Sequence, residues 1–206
     1  MPGPGRPRGF DRDEALRTAM HLFWEHGYEG VSISELTAAM GIGARSLYTA
    51  FGSKEELFRE AVALYAGETP GSLDEPRTAR EAIELMLRER TAANLDPATP
   101  LGCMVVLAAA NATPENEHVR TLLAERRQHD RGAVLARLRR GVAEGDVPAG
   151  ADVEAAASFY LTVMHGLAIR ARDGCTPADA ARVIDAAMSA WEGLTAGSSN
   201  RSATPA

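Results

Sequence analysis

Cysteine is scarce in this sequence, and so are long apolar stretches. Of the 206 residues only two are cysteines, Cys103 and Cys175, too few for a disulfide-stapled scaffold or a tetrahedral zinc site. No run reaches the ~18 apolar residues that a membrane-spanning helix needs, and the start of the chain lacks the apolar segment of a secretory signal. We therefore expect a cytoplasmic protein that crosses no membrane and uses no metal or cofactor.

Positive charge is also in short supply. Lys54 is the only lysine, and 28 acidic residues outnumber 22 basic residues, which gives a net charge of -6. Because the chain is not a bulk polycation, any binding to nucleic acid must come from a few well-placed charges. Hydrophobic residues make up 45% of the chain, which is enough for a real core and excludes global disorder.

Helix signals dominate the chain, and no convincing alternation of β-branched residues indicates a strand. Capping residues mark helix starts at Asp11, Ser32, Ser53, Asp152 and Thr176. Apolar residues recur at helical spacing after these marks. The sequence therefore predicts an all-α protein of about nine helices, four of them before residue 70 and the others at about 76–94, 100–111, 114–144, 152–173 and 177–195.

Two short helices joined by a three-residue turn lie near the start of the chain. They are predicted at 32–40 and 44–51, with Gly41, Ile42 and Gly43 between them. This spacing is typical of the helix-turn-helix unit, whose second helix enters the DNA major groove. We expect the second helix to bury Leu47, Ala50 and Phe51, which leaves a face for DNA made of Ala44, Arg45, Tyr48 and Thr49.

The residue types on that face suit a DNA duplex. Arg45 can bridge O6 and N7 of a guanine, Ala44 can touch a thymine methyl, and the Tyr48 hydroxyl can reach a phosphate. Ser32 and Lys54, each at a helix start, can add backbone N–H groups and side chains to phosphate contacts. Short capped helices around a glycine also occur in purely structural roles, so spacing alone leaves DNA binding open.

Residues 10–58 resemble the DNA-binding domain of TetR-family transcriptional regulators. The matching positions are Ala19, Leu22, Phe23, Gly27, Tyr28, Ser32, Leu36, Gly41, Ser46, Leu47, Tyr48, Phe51, Lys54, Leu57 and Phe58. The resemblance implies an N-terminal three-helix DNA-binding domain, a helical body that binds a small organic effector, and a homodimer on a palindromic double-stranded operator. We include Gly43 and Ser46 among the DNA-binding positions. The family often has Ser or Thr in place of Gly43, and glycine is a weaker but acceptable N-cap.

These observations predict four segments. They are a flexible arm at 1–8, a DNA-binding domain at 9–69 with its motif at 32–51, an effector-binding and dimerisation domain at 70–195, and a disordered tail at 196–206. In the arm, Arg6 and Arg8 either enter an A·T-rich minor groove next to the motif or belong to a solvated tail.

By the same resemblance, the helices at 152–173 and 177–195 pair with their copies in a dimer interface. One helix offers the stripe Ala156, Tyr160, Val163, Leu167 and Ala171, and the other offers Val183, Ile184, Ala187, Met188, Trp191 and Leu194. An isologous two-fold interface would match two DNA half-sites. The alternative is that these helices pack only within one subunit.

An effector cavity is expected among the helices of the body. Its candidate lining residues are Met86, Arg90, Cys103, Met104, Leu107, Asn111, Phe159, Met164 and His165, although each alone is as compatible with an ordinary core. Such a set would form a largely apolar cavity with a few polar groups, which suits a small organic molecule. We interpret Arg126, His129 and Asp130, between two apolar stretches of the same helix, as a solvated face.

Cys103 supports a second hypothesis. Its predicted place in the first turn of a helix favours the thiolate, which would suit a redox-sensing or electrophile-sensing regulator, whereas its apolar neighbours favour a simple buried residue. A helical enzyme or carrier is a further alternative, against which the common hydrolase, phosphate-binding and zinc motifs are absent from the sequence. A DNA-bending protein without an effector would lack the cavity.

Overall fold

Ten α-helices make up the regular structure of residues 10–109 and 116–197, which are the residues that the computed structural model describes. The helices are α1 (Arg12–His26), α2 (Ile33–Met40), α3 (Ala44–Phe51), α4 (Lys54–Glu68), α5 (Ala79–Asn94), α6 (Met104–Ala109), α7 (Glu117–Glu144), α8 (Val153–Arg172), α9 (Pro177–Ser189) and α10 (Trp191–Thr195). The predicted all-α class is confirmed. The arm with Arg6 and Arg8, Asn111, and residues 198–206 of the tail lie outside the described residues.

Side-chain caps define most helix starts, as the sequence predicted. Oxygens of Asp11, Ser32, Ser53, Asp152 and Thr176 each accept a backbone N–H from the first turn of the helix that follows. Such caps satisfy N–H groups that have no partner inside the helix. None of the described helices has the length and apolar character of a membrane-spanning segment.

The helix predicted at 100–111 begins later than expected. Gly102 adopts a φ of 83°, a left-handed conformation that favours glycine, and its N–H donates to the carbonyl of Asn94 at 2.8 Å. This turn delays α6 to Met104 and places Cys103 just before the helix, where its carbonyl accepts the Leu107 N–H at 2.9 Å. Cys103 is therefore not in the first helical turn, and that part of the prediction is wrong.

The helix predicted at 177–195 is interrupted at Ala190. The N–H of Ala190 bonds to the carbonyl of Ala187, three residues back, at 3.2 Å. A new short helix, α10, starts at Trp191, whose ring is buried with its centroid 5.8 Å from that of Tyr160. The tighter turn lets this large side chain enter the core of the body.

The buried apolar residues form two clusters. The body cluster joins α5, the C-terminal half of α7, and α8 to α10. The N-terminal cluster joins α1 to α4 with α6 and the start of α7, from which Met104, Val105, Val119 and Leu123 are buried. Helices α1 to α4 therefore share a core with two elements of the body.

An ion pair between buried Arg137 and half-buried Asp146 connects the end of α7 to the start of α5. The side chain of Arg137 is 1% exposed and its Nη2 lies 3.8 Å from Oδ2 of Asp146. The same Oδ2 accepts the backbone N–H of Ala79 at 2.6 Å. Loss of this carboxylate would leave the N–H of Ala79 without its acceptor and the Arg137 guanidinium with only long contacts, to Glu144 at 4.0 Å and to the Pro76 carbonyl at 3.4 Å. That loss costs more than the pair itself contributes.

We expect Asp146→Ala to lower the free energy of unfolding by about 3 kcal/mol, measured by urea denaturation. The control is Asp74→Ala, because Asp74 makes an exposed ion pair with Arg140 and should contribute no more than about 1 kcal/mol. Equal effects of the two substitutions would contradict the role of the Arg137–Asp146 pair.

Candidate nucleic-acid interface and internal cavity

The turn between α2 and α3 reverses the chain within three residues. Gly41 has a φ of 65° and ends α2 in the left-handed conformation, which glycine adopts without steric cost. Its N–H bonds to the carbonyl of Ala38, and the N–H of Ile42 bonds to that of Thr37 at 3.1 Å. Gly43 then precedes α3 as an N-cap without a side-chain hydrogen bond.

The recognition helix α3 has one buried face and one open face. Leu47 and Phe51 are 0% and 3% exposed, within the N-terminal cluster, and Ala50 is half-buried. The exposed residues are Ala44, Arg45, Ser46, Tyr48 and Thr49, and Tyr48 exposes 48% of its surface. The predicted orientation of this helix is confirmed.

Arg12 of α1 holds the far end of α3. Its guanidinium donates to the carbonyl of Ala50 at 3.3 Å and to both carboxylate oxygens of Glu60 at 2.7 and 2.8 Å. It also lies 4.5 Å from the centre of the Phe51 ring, a distance that suits a cation–π contact. Sequence reasoning missed this positioning residue because nothing in the spacing links residue 12 to residue 50.

Ser32 and Lys54 are both engaged in local contacts. The Ser32 hydroxyl oxygen accepts the Glu35 N–H at 3.1 Å, and the Ser32 N–H donates to the Glu35 carboxylate at 2.7 Å. Both the Ser32 hydroxyl and its backbone N–H bond to the Glu35 carboxylate, which lowers the pKa of Glu35. The Lys54 ammonium lies 4.2 Å from the centre of the Tyr28 ring, and partial burial lowers its pKa.

A cavity of about 180 Å³ lies where α1, α4, α5, α7 and α8 meet α6 and the segment before it. Its apolar and aromatic wall includes Met20, Trp24, Tyr65, Val105, Val106 and Ala168. Its polar groups include Arg90, Asn94, Cys103, Arg126, Arg127, Asp130 and His165. A largely apolar pocket with a few converging polar groups is the usual form of a small-molecule site.

The structure places four of the predicted lining residues at this cavity, namely Arg90, Cys103, Met164 and His165. Met86 and Met104 are fully buried in the two clusters, and Leu107 is half-buried outside the lining. Phe159 was misplaced, because it lies exposed on the outer face of α8. Asn111 falls outside the described residues.

Of the three polar residues that were interpreted as a solvated face of α7, His129 conforms and the other two do not. Arg126 and Asp130 line the cavity and pair across one helical turn, with Arg126 Nη2 2.6 Å from Asp130 Oδ1. His129 is exposed. A polar break in an apolar helix has the same pattern whether it faces solvent or an internal cavity, so hydropathy could not separate the two.

Burial governs the titration of the groups at the cavity. Burial and the guanidinium of Arg127 hold the pKa of His165 below its usual range, which keeps the imidazole neutral near pH 7. Burial and the neighbouring Cys103 raise the pKa of Tyr65, whose hydroxyl hydrogen-bonds with that thiol. Within the described part of the chain, no three His, Cys, Asp or Glu side chains gather as a metal site would require.

A hydrogen-bonded junction connects the cavity wall to α1. The Trp24 indole N–H of α1 donates to the carbonyl of Gly102 at 2.9 Å. Arg172, the last residue of α8, donates to the carbonyls of Trp24 at 2.9 Å and Leu101 at 3.0 Å. Helix α1, the segment before α6 and the end of α8 are therefore fixed to one another beside the cavity.

Most residues of the apolar stripes that were predicted to form a dimer interface pack within the subunit instead. Of the eleven residues named for them, eight are buried in this single chain, including Tyr160 and Trp191. A different face of α8 is open and carries Phe159 and Ile169, at 36% and 49% exposure. The periodicity indicated that these helices bury a face, but it could not indicate against which chain.

The fold and the open face of α3 define a helix-turn-helix DNA-binding protein with a helical body. Residues 15–61 match the family described as bacterial regulatory proteins, tetR family, and residues 79–188 match the tetracyclin repressor-like C-terminal domain. The chain belongs to the TetR family and is a DNA-binding transcriptional regulator. The hypothesis of a helical enzyme or carrier is not retained.

Individual relatives match over most of the chain. The HTH-type transcriptional repressor ComR of Escherichia coli is 30% identical over 195 residues, which is 92% of this chain and 93% of ComR. The repressor BdcR of the same organism is 29% identical, over 83% of this chain and 84% of BdcR. A solved structure of the TetR family regulator CifR, a cysteine mutant complexed with 26-bp double-strand operator DNA, is 46% identical with a TM-score of 0.87 and covers 91% of this chain and 100% of CifR.

Proposed function

We propose that this regulator is a dimeric repressor that binds a palindromic operator and is released when a small organic effector enters the cavity. The open polar face of α3, held outward by buried Leu47 and Phe51, carries the proposal. Repression is supported by the similarity to ComR and BdcR, both of which are transcriptional repressors. We place its action in the cytoplasm, where bacterial operator DNA lies.

The proposed DNA contacts divide into base reading and phosphate binding. Arg45 would bridge a guanine and Ala44 would touch a thymine methyl. Tyr48 would bind a phosphate, and Lys54 would add a positive charge. The Ser32 hydroxyl would bind another phosphate in exchange for the Glu35 carboxylate. Further backbone and side-chain contacts would come from Gly43, Ser46 and Thr49, and minor-groove contacts from Arg6 and Arg8 of the arm.

The dimer would use the outer face of α8 together with α9. On α8 the residues of this face follow one another at spacings of four and three, and they are Ala155, Phe159, Thr162, Gly166 and Ile169. Small residues at these positions allow close helix approach, and the two large apolar ones would fill the remaining space. On α9 the exposed residues Ala178, Arg182, Asp185 and Ser189 continue the surface.

The effector would act on DNA through the junction at Trp24. Trp24 and Cys103 line the cavity, and both belong to the segments that Arg172 and the Gly102 carbonyl hold together. A ligand that binds better when these segments have shifted would move α1, and with it α3. The two recognition helices would then no longer match major grooves one helical turn apart, about 34 Å.

We expect Arg45→Ala to weaken operator binding by about 1–3 kcal/mol and to relax specificity at one position of each half-site. The measurement is a salt-titrated gel shift of the full chain with the DNA flanking its own gene. Arg139→Ala on the exposed side of α7 serves as the control and should bind like the parent. Unchanged affinity and specificity in Arg45→Ala would contradict the proposed base contact.

Cys103 supports a second candidate function, an electrophile-sensing regulator. Its thiol lines the cavity and hydrogen-bonds with Tyr65. The Cys103 sulfur would add to one carbon of an activated alkene that enters the cavity: the C–S bond forms as the C=C π bond breaks, the thiol proton passes to solvent, and the other carbon takes a proton from solvent. The added group would then occupy the cavity permanently.

If Cys103 is the sensor, N-ethylmaleimide releases the parent from its operator and does not release Cys103→Ala. Cys175→Ala is the matched control, because Cys175 is half-buried at the body cluster, and it should respond like the parent. Equal release of parent and Cys103→Ala would contradict this function and leave reversible effector binding as the mechanism.

A further inference from the structure

The inner wall of the cavity carries more positive than negative charge. Three guanidinium groups, of Arg90, Arg126 and Arg127, face one carboxylate, that of Asp130. Arg90 and Asp130 are only 17% and 15% exposed, so solvent screens them weakly. The two other acidic lining residues, Glu68 and Asp96, are solvent-exposed.

The two acidic residues at the rim already have partners. Glu68 pairs with Arg17 at 3.2 Å, and the Asp96 carboxylate accepts the Ala98 N–H at 2.9 Å. They therefore contribute little to neutralising the inner wall. The positive charge of that wall remains available to a ligand.

Asp130 makes a close ion pair with only one of the three arginines. Its carboxylate lies 2.6 Å from Arg126 but 3.8 Å from Arg90. Arg127 has no carboxylate within 4.0 Å among the described residues, and its Nη1 donates to the Val105 carbonyl at a long 3.3 Å. The guanidinium groups of Arg90 and Arg127 therefore retain N–H donors that a ligand could use.

Arg90 lacks close hydrogen-bond acceptors more clearly than Arg127 does. Its Nε is buried and makes no hydrogen bond within the described part of the chain, and its Nη1 has only long contacts, with the Met164 sulfur and with Asp130 Oδ2, each at 3.8 Å. A buried donor without a partner is costly, and a ligand oxygen placed there would remove the cost. His165 lies close enough to both Arg90 and Arg127 to be influenced by their charges, which makes the three side chains one cluster.

The opposite wall is apolar and aromatic, with Met20, Trp24, Tyr65 and Val106. A volume of about 180 Å³ holds on the order of ten non-hydrogen atoms, since one water molecule needs roughly 10–15 Å³ of such space. The cavity therefore suits a short ligand with an anionic end and an apolar body.

We propose that the effector is a small organic carboxylate, whose oxygens bind Arg90 and Arg127 and whose apolar body packs on Trp24 and Tyr65. Guanidinium and carboxylate groups match in geometry and form paired, charge-assisted hydrogen bonds. Neutral His165 adds a further N–H donor. A cationic ligand would face the uncompensated arginines and is disfavoured. This inference rests on the proposed effector function of the cavity.

The test measures binding to the full-length chain by calorimetry and thermal shift with two carboxylates, 3-phenylpropanoate and octanoate. Each is compared with its primary amide, which has the same shape and no charge. We expect at least one carboxylate to bind and its amide to bind at least about tenfold more weakly, because charged hydrogen bonds contribute about 1.5–3 kcal/mol.

Substitutions locate the site. Arg127→Gln and Arg90→Gln should each weaken carboxylate binding at least about tenfold. Arg120→Gln should leave it unchanged, because Arg120 lies exposed on the same helix and pairs with Glu117. The carboxylate–amide comparison in the parent protein needs no variant, so it decides the inference even where a substitution prevents folding.

Two results would overturn the inference: an amide that binds as tightly as its carboxylate, or no binding by either carboxylate. Gel shifts run in parallel separate this failure from that of the proposed function. If amides release the operator as well as carboxylates do, effector release stands and the anionic effector is wrong. If the folded parent binds no operator DNA, the proposed function itself fails.

Discussion

The DNA-binding helices do not complete a hydrophobic core by themselves, and α6 with the first turns of α7 complete it for them. Met104, Val105, Val119 and Leu123 are buried in one cluster with the apolar residues of α1 to α4. Each such side chain contributes roughly 1.5–3 kcal/mol by its burial, so α6 stabilises the core on which α3 packs. The core beneath the recognition helix therefore contains residues from both parts of the chain.

The shared core also forms part of the cavity wall. Val105 belongs to the shared core and also lines the cavity, and Trp24 lines the cavity from the DNA-binding side while its indole bonds to Gly102. A ligand therefore contacts residues on both sides of the boundary that the sequence suggested near residue 69. Interfaces that are packed this closely shift between discrete arrangements rather than deform gradually.

Features that depend on residues close in sequence, such as helix caps and helix faces, can be predicted from the sequence. The partner against which a helix face packs cannot. The caps at Ser32 and Thr176 and the outward face of α3 follow from local hydrogen bonding and helical period. The internal position of the Arg126–Asp130 pair does not, because a polar pair has the same spacing at a cavity wall as in solvent. Likewise the periodicity of α8 marked Tyr160 as buried, but only the packed fold reveals that its own subunit buries it and that Phe159 remains open.

Hydrogen exchange of the full chain without any ligand tests the shared core most directly. Val105→Ala and Val134→Ala remove the same atoms from positions that are 4% and 1% exposed, the first in the N-terminal cluster and the second in the body cluster. Exchange of the amides of α1 and α4 should accelerate in Val105→Ala and stay at the parent rate in Val134→Ala. Parent-like exchange of α1 and α4 in Val105→Ala, or equal acceleration in both variants, would contradict a core that joins α6 specifically to the DNA-binding helices.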